Sequence, residues 1–267
     1  MPEGDTIWQS ADRLGPVLIG NPVRQVSGSH PAVRREGRRI VGCHVTDVRA
    51  VGKHPLVDVD RGWTLRTHLG MSGVWHVYPT GARWRRSPGA ARVVLRTDDH
   101  EVVCFAAPTV QLGPTDRVLA SIDHLGPDLM AADVDVDEVA NDAAGHTGTV
   151  SDLLLDQSVM SGIGNVYKSE VLFLEGLDPA MQAASLERDQ VMAAVDRARR
   201  LLAANRRPGP RVTTGSTRLG HELWVYGREG RPCRRCGSPI SAAWLGDPAR
   251  ITYWCSTCQT DPSSAPS

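Results

Sequence analysis

The 267-residue sequence lacks three features that would place it in other classes of protein. It has no run of about 18 uncharged apolar residues, so no membrane-spanning helix is expected. Its opening, Met-Pro-Glu-Gly-Asp, is acidic and has none of the apolar character of a signal peptide, which predicts a cytoplasmic protein. It also has no charge excess, because 30 Lys and Arg balance 30 Asp and Glu. The 41% hydrophobic content is that of an ordinary folded protein.

The zero net charge hides an uneven distribution along the chain. Residues 1–97 carry 15 basic and 7 acidic side chains, residues 98–142 carry one basic and 11 acidic ones, and residues 183–258 carry 13 basic and 6 acidic ones. One interpretation is a solvated surface of uneven charge. The other is a basic groove, built from two separate parts of the chain, that binds a polyanion.

Lysine is scarce, since only Lys53 and Lys168 accompany 28 arginines. Coding bias can produce such a composition without any functional reason. A retained lysine nevertheless indicates a position where an amine that gives and takes a proton is useful, because a guanidinium stays charged.

The pattern of apolar residues predicts an α+β protein whose strands lie in its first half. A helix is expected over 5–20, and short β-branched runs predict strands at 40–49, 55–60, 63–68, 73–78, 92–97 and 101–105. Strands this short and numerous favour a sandwich or barrel-like sheet. The acidic residues 110–146 are predicted to be loop-like and weakly helical, as a linker region between domains. Further helices are expected at 149–159, 166–174 and 186–205, the last capped by Ser185.

Four of the six cysteines form two CxxC pairs separated by 18 residues: Cys233, Cys236, Cys255 and Cys258. This spacing is typical of a four-thiolate zinc site, and the alternative of two disulfides is disfavoured in a cytoplasmic protein. Four thiolates leave no open coordination position, so one structural Zn²⁺ per chain is predicted, which would supply folding energy to a short segment. Such modules bind nucleic acid in some proteins and protein partners in others.

Residues 2 and 3 form a candidate catalytic pair. Removal of Met1 would leave Pro2 with a terminal secondary amine, and since an α-amine titrates at roughly 7.7–8.0, part of it is an unprotonated nucleophile near neutral pH. A secondary amine that attacks a sugar carbon gives an iminium ion, which is an electron sink for eliminations. The neighbouring carboxylate of Glu3 could move protons to and from the sugar.

Motifs along the whole chain resemble those of the formamidopyrimidine-DNA glycosylase/endonuclease VIII family. They are Pro2-Glu3-Gly4, Val51-Gly52-Lys53, His68-Leu69-Gly70-Met71-Ser72-Gly73, Leu155-Asp156-Gln157 with residues 162–167, residues 222–230, and the four-cysteine finger. The match runs in order from residue 2 to residue 259, and the opening is more similar to the endonuclease VIII branch. The resemblance implies removal of an oxidised base and strand cleavage at the resulting abasic site, with the target nucleotide turned out of the duplex.

The resemblance also implies a domain plan. An N-terminal catalytic β-sandwich with a helix is expected over residues 1–125, and a linker over 126–147. A helix–two-turns–helix domain follows over 148–229, then a zinc finger over 230–260 and a tail over 261–267. Damaged DNA is the implied partner, held between the two domains by a monomeric protein.

Catalytic roles follow from the resemblance by position. Pro2 is the Schiff-base nucleophile at the sugar C1′, and Glu3 shuttles protons during base loss and ring opening. Lys53 contacts phosphate and donates a proton in β-elimination. Arg250, five residues before Cys255, binds phosphate, and we interpret it as an electrostatic clamp because guanidinium stays charged.

Two further residues have implied DNA-binding roles. Asn165, in the turn between two helices, binds backbone phosphate, and Met71 is the apolar wedge that fills the gap left by the flipped nucleotide. Without the motifs, Asn165 would be interpreted as a turn residue, Met71 as a core residue and Lys53 as a surface cation.

The chain departs from the family pattern at three places. Thr6 replaces a glutamate that contacts the base in related proteins. Residues 105–111, Phe-Ala-Ala-Pro-Thr-Val-Gln, replace a Phe-x-Asp-x-Arg-Arg-Phe segment whose arginine and aromatic fill the duplex void. Small residues, Gly70 and Ser72, flank Met71. Weak void filling predicts oxidised pyrimidines as substrates, with tolerance or preference for single-stranded or bubble DNA.

Three hypotheses for function follow. The first is a bifunctional DNA glycosylase and abasic-site lyase of base excision repair, which cuts by β- or β,δ-elimination. The second is a catalytically lapsed zinc-finger DNA-binding protein, and the third is a zinc-ribbon protein-interaction factor. The intact Pro2, Glu3 and Lys53 favour the first.

Overall fold

The computed structural model describes residues 2–260, so the predicted tail at 261–267 lies outside the described residues. The described residues fold as two compact units, which meet in the sequence between His124 and Leu125. Within residues 2–260, no helix combines the length and the apolar character needed to cross a membrane.

The first unit is a β-sandwich with one long helix. Its helices are α1 (Gly4–Leu18), α2 (Pro31–Glu36) and α3 (Thr115–Leu119), with 3-10 turns at Gly37–Ile40 and Pro88–Ala90. Its strands are β1 (Gln25–Ser27), β2 (Val45–Val51), β3 (His54–Val59), β4 (Trp63–His68), β5 (Val74–Pro79), β6 (Ala91–Arg96), β7 (His100–Phe105) and β8 (Thr109–Pro114). They form two antiparallel sheets, in the orders β2-β3-β4-β8 and β1-β6-β7-β5.

Strand alternation explains how the second sheet is buried on both faces. Along β7, Val102 and Cys104 join the main core between the sheets, whereas Val103 and Phe105 point to the opposite face. Successive strand residues point to opposite faces, so two cores need an apolar residue at nearly every position. This explains why β7 has an almost continuous apolar sequence.

The second unit is built around a buried helix. Its helices are α4 (Val136–Ala143), α5 (Val150–Leu155), α6 (Asn165–Glu175) and α7 (Arg188–Ala204), followed by a hairpin of β9 (Ser241–Leu245) and β10 (Arg250–Trp254). Every residue from Asn165 to Phe173 is buried, because α6 packs against α5, α7 and β10. The predicted α+β class, a β-sandwich followed by a helical domain, is confirmed.

The predicted loop-like and weakly helical character of residues 110–146 is wrong for residues 110–114, which belong to β8. Val110 and Leu112 of β8 alternate into the core, where β8 pairs with β4. Further on, α4 begins at the cap residue Asp135, whose carboxylate accepts the N–H groups of Asp137 and Glu138. The acidic first turn complements the helix dipole, and the apolar side of α4 packs on α7.

The predicted start of the long helix is also wrong. The cap of α7 is Glu187 rather than Ser185. Glu187 and Gln190 form a reciprocal capping box, which satisfies the first N–H groups of the helix.

Candidate active site and metal centre

One end of the first unit, which we call the Met71 end, gathers two turns with predicted site residues. Gly52 and Lys53 form the turn between β2 and β3, and Gly70, Met71 and Ser72 follow β4. The rings of His54 and His68, beside these turns, lie 5.0 Å apart. Lys53 and Met71 are therefore at the same end of the sheet, and Met71 is 75% exposed.

Helix α1 carries Pro2 and Glu3 at its N-terminus. It packs against β2, and Ile19, just after the helix, bridges to Val45, the first residue of β2. The 15-residue helix is about 22 Å long and the seven-residue strand about 23 Å. The helix therefore brings its N-terminus toward the end of β2 that continues into Lys53.

Glu3 caps α1 with its main chain, leaving its side chain for other contacts. The carbonyl of Glu3 accepts the N–H groups of Thr6 at 2.9 Å and Ile7 at 3.0 Å. Glu3 is 0% exposed, whereas Pro2 is partly exposed. A buried carboxyl beside an accessible residue is a suitable arrangement for moving protons at that residue.

The electrostatics of the Met71 end favour an anion. Burial lowers the pKa of His54 to about 3, and the nearby Arg66 contributes. Burial lowers the pKa of His68 as well, together with the charges of Lys53 and Arg66. Both imidazoles are therefore neutral at pH 7 in a locally positive field.

The segment at residues 105–111 makes several contacts within the first unit. Its backbone bends at Ala106, where φ is 54°, and Pro108 packs against Gly70, so close that a Cβ there would lie 2.8 Å from Pro108 Cγ. Val110 is buried in the core, and the Gln111 side-chain oxygen accepts a hydrogen bond from Arg66 Nε at 3.1 Å. Both side chains are thus engaged within the first unit.

In the second unit, Gln157 shapes the turn between α5 and α6. Its amide nitrogen donates to the carbonyls of Leu155 at 2.8 Å and Ile163 at 3.2 Å, and its oxygen accepts the N–H of Gly162 at 3.2 Å. Gly162 has φ 110°, a conformation that favours glycine. These bonds fix the point at which α6 begins with Asn165.

Asn165 lies between α6 and the hairpin and is 4% exposed. Its Nδ2 donates to the carbonyl of Ile251 at 2.6 Å, and its buried Oδ1 has no hydrogen-bond partner in the described part of the chain. Arg250, one residue before Ile251, begins β10 and is exposed. The structure thus brings the predicted residues Asn165 and Arg250 into one neighbourhood of the second unit.

Two buried charged residues of α6 have a structural part that sequence reasoning missed. Lys168 Nζ donates to Thr252 Oγ1 at 2.6 Å. Glu170 accepts the main-chain N–H groups of residues 224–226 at 2.8 to 2.9 Å, and also the hydroxyl of Thr213. Charged residues within the otherwise apolar stretch of α6 were the available signal, since buried charges need partners.

The four finger cysteines converge on one point. Their Sγ atoms all lie within 4.8 Å of one another, with Cys233 and Cys258 3.9 Å apart and Cys236 and Cys255 3.4 Å apart. A tetrahedron with Zn–S bonds of about 2.3 Å has edges of about 3.8 Å. The donor set and its spacing therefore fit a four-thiolate metal ion. The other two cysteines, Cys43 and Cys104, are buried core residues of the first unit.

Comparison with known proteins shows the family. The model of the formamidopyrimidine-DNA glycosylase N-terminal domain matches residues 1–109, and that of the formamidopyrimidine-DNA glycosylase H2TH domain matches residues 125–213. The "Probable endonuclease 8 2" of Streptomyces coelicolor is 40% identical over 100% of this chain and 96% of its own. The "DNA-(apurinic or apyrimidinic site) lyase Nei2" of Mycolicibacterium smegmatis is 35% identical over 97% of this chain and 99% of its own. The chain belongs to the formamidopyrimidine-DNA glycosylase family.

Solved structures share the fold. The wild-type Fpg (MutM) of Lactococcus lactis, in complex with DNA containing N7-benzyl-Fapy-dG, matches with a TM-score of 0.84 at 22% identity. The match covers 97% of this chain and 100% of that one. The sandwich and the helix–two-turns–helix arrangement are thus those of this family.

Proposed function

We propose that the protein is a bifunctional DNA glycosylase and abasic-site lyase of base excision repair. The observation that carries the proposal is the burial of Glu3 directly behind an accessible Pro2, in a chain whose family is shown over its length. A protein that had only kept DNA binding would have no need for a buried carboxyl at this position, because burial of an ionisable group is costly.

Pro2 is the nucleophile in this proposal. Its secondary amine attacks C1′ of the damaged nucleotide, the glycosidic bond breaks, and the base leaves. The attached nitrogen loses its proton, the C1′–O4′ bond of the sugar ring then breaks with a proton delivered to O4′, and the product is a ring-opened iminium ion whose positive charge acidifies the hydrogens at C2′. Loss of one of these protons expels the 3′-phosphate and cuts the strand. Glu3 donates to the ring oxygen as the sugar opens and later takes up protons from the sugar.

Lys53, Asn165 and Arg250 are proposed to hold the DNA backbone. Lys53 lies at the Met71 end of the first unit beside two neutral histidines, where its amine is proposed to contact a phosphate and to donate a proton during β-elimination. Arg250 is exposed at the start of β10 and can form charge-assisted hydrogen bonds with phosphate. Asn165 is proposed to contribute the second hydrogen of its amide nitrogen, since Nδ2 already donates to the Ile251 carbonyl.

The proposed substrates are oxidised pyrimidines, with tolerance or preference for single-stranded or bubble DNA. Met71 is exposed and can act as a wedge, but Val110 and Gln111 are held within the first unit and give it no support. Void filling therefore stabilises the everted state of a duplex only slightly. In a single strand, no base pair has to be opened before the nucleotide enters the site. The enzyme is proposed to act as a monomer.

The proposed cofactor is one structural Zn²⁺, held by Cys233, Cys236, Cys255 and Cys258. When bound, the ion supplies cross-linking energy to the finger, since four thiolates leave no position for a substrate. The finger then presents the hairpin that carries Arg250.

Borohydride trapping tests the proposal. The purified protein, shown by intact mass to lack Met1, is mixed with oligonucleotides that carry thymine glycol, dihydrouracil, 8-oxoguanine opposite cytosine or an abasic site, in single- and double-stranded form. The enzyme hypothesis is supported if the unaltered protein forms a covalent adduct and the Glu3→Gln variant forms none on oligonucleotides that carry a damaged base. DNA binding without any adduct would support the catalytically lapsed alternative. Fastest cleavage of 8-oxoguanine opposite cytosine would contradict the proposed substrates.

A further inference from the structure

The loop between β5 and β6, residues 80–90, carries three exposed arginines within four positions, and we call it the arginine loop. They are Arg83, Arg85 and Arg86. Across residues 2–260, no carboxylate forms an ion pair with any of them. By contrast, Arg24 and Arg96 of the same unit pair with Asp98 and Glu101. The loop thus presents uncompensated positive charge.

Topology returns this loop to the Met71 end. Strands β5 and β6 flank β7 and are both antiparallel to it, so they run parallel to each other. β5 ends at Pro79 opposite His100, whereas β6 begins at Ala91 opposite Phe105. The loop must therefore cross the outer face of the sheet, and it comes back to the end of β7 that leads into Pro108.

Trp84 fixes the loop on the sheet. Its Nε1 donates to Glu101 Oε2 at 2.8 Å, and its ring packs edge-on against Phe105 and is stacked with Tyr78. The main-chain N–H of Arg85 also donates to the hydroxyl of Tyr78 at 3.1 Å. A loop held in this way needs little further ordering when its arginines bind a ligand.

The arginine loop is continuous with the turn that carries Met71. Arg86 Nη1 donates to the carbonyl of Ser72 at 3.3 Å. Burial lowers the pKa of the nearby His76, and the charges of Arg86, Arg13 and Arg85 lower it further, so the local field is positive. The one carboxylate that lines the depression under the loop, Glu101, is neutralised by Arg96.

We propose that the arginine loop binds the phosphodiester backbone of DNA beside Met71. The proposal rests on the proposed function, because it takes the Met71 end as the DNA-binding end. Arg83 and Arg85 contact phosphates, and Arg86 links them to the Met71 turn. The loop thereby supplies cationic contacts that residues 105–111 lack, but it grips backbone and does not fill the void in the base stack.

The salt dependence of DNA binding tests this proposal. The probe is a duplex oligonucleotide with a tetrahydrofuran abasic analogue, and its Kd is measured between 50 and 200 mM salt for the zinc-loaded full chain. The double variant R83A/R85A removes two charges. The control R38A/R39A removes two exposed arginines from the 3-10 turn Gly37–Ile40, which packs on β1 at the opposite edge of the same sheet.

The expected result is a smaller salt slope in R83A/R85A only. Two lost phosphate contacts lower the slope of log Kd against log salt by about 1.8, so a fourfold rise in salt weakens the variant roughly 12-fold less than the unaltered protein. R83K/R85K should restore the slope, because it restores the charges. An unchanged slope in R83A/R85A, or an equal change in R38A/R39A, overturns the proposal, and such a loop would then suit an acidic protein surface instead.

Borohydride trapping of the unaltered protein separates this test from that of the proposed function. If the unaltered protein forms no adduct with an abasic-site duplex, the proposed function fails whatever the loop does. If it forms the adduct while R83A/R85A keeps the full salt slope, only the proposal for the arginine loop fails. Both double variants should unfold at the same temperature as the unaltered protein, which shows that their fold is intact.

Discussion

The ammonium of Lys168 and the hydroxyl of Thr252 meet inside the second unit, 2.6 Å apart and both 0% exposed. This bond joins the first turn of α6 to β10, the strand that begins with Arg250. Asn165, one turn earlier on α6, makes a parallel bond to the carbonyl of Ile251. The position of Arg250, the proposed phosphate clamp, is therefore set by α6 as well as by the metal site.

Thr252→Val should destabilise the second unit, because it leaves the buried ammonium with a weaker set of partners. A hydrogen bond to a charged group contributes about 1.5–3 kcal/mol, so a loss of that size in the free energy of unfolding is expected. Thr252→Ser keeps the hydroxyl and should lose clearly less. Urea unfolding of the zinc-loaded protein, followed by tryptophan fluorescence, measures both, and equal losses in the two variants would contradict the account.

Removal of the metal should unfold residues 230–260 and abolish tight DNA binding, while the first unit stays folded. The finger residues Cys233, Ile240 and Cys255 share a small apolar cluster with Phe173 and Val225, and a segment of this length depends on the ion for its stability. Metal analysis should give one zinc per chain, and Cys255→Ser should behave as the chelated protein does. A metal-free protein with unaltered DNA affinity would argue against a zinc-dependent finger.

The sandwich should lose stability in acid through His54. Its folded pKa, about 3, lies below the unfolded value of 6.5, so the unfolded state binds the proton more readily as the pH falls. Above pH 6.5, His54 does not lower the free energy of unfolding. Between pH 6.5 and pH 3, the free energy of unfolding falls by on the order of 1.4 kcal/mol for each unit that the pH decreases. The variant His54→Gln should show a flatter decline over this window in chemical unfolding curves. The same slope in both proteins would mean that His54 is not held neutral.

Met71→Ala should weaken excision from duplex DNA more than from single strands. The side chain is 75% exposed, so unfolding should change by less than about 0.5 kcal/mol. A wedge that stabilises only the everted state in a duplex contributes on the order of 1.4 kcal/mol, which predicts a roughly tenfold lower kcat/KM on duplex and little change on single strands. Equal losses on both substrates would exclude the wedge role.

Local patterns in the sequence predicted much of the fold. The β-branched runs located strands β3 to β7, and the spacing of the cysteines predicted a cluster of four thiols. The order β1-β6-β7-β5 could not be predicted, because it depends on a crossing loop whose anchor is a tryptophan bonded to a carboxylate 17 residues away. The strand β8 was missed because its two inward residues are followed at once by Gly113 and Pro114.

Residues of the candidate site could be predicted from the sequence only where they lie within a recognisable motif. Pro2, Lys53 and Met71 stand out by their motifs, whereas Glu170 has no local signal for the three main-chain donors that it binds some 55 residues away. Lys168 was conspicuous as one of two lysines, yet its role depends on a hairpin 84 residues further along the chain. Long-range polar partners of this kind follow from tertiary packing and not from spacing.

The identity of the residue that bonds to DNA tests the account most directly. The protein without Met1 is trapped with borohydride on an abasic-site oligonucleotide, digested with trypsin and nuclease, and analysed by mass spectrometry. The account predicts that the reduced sugar is attached to the amine of Pro2, within the peptide of residues 2–13. An adduct at Lys53 or at any other residue, or no adduct at all, would contradict it.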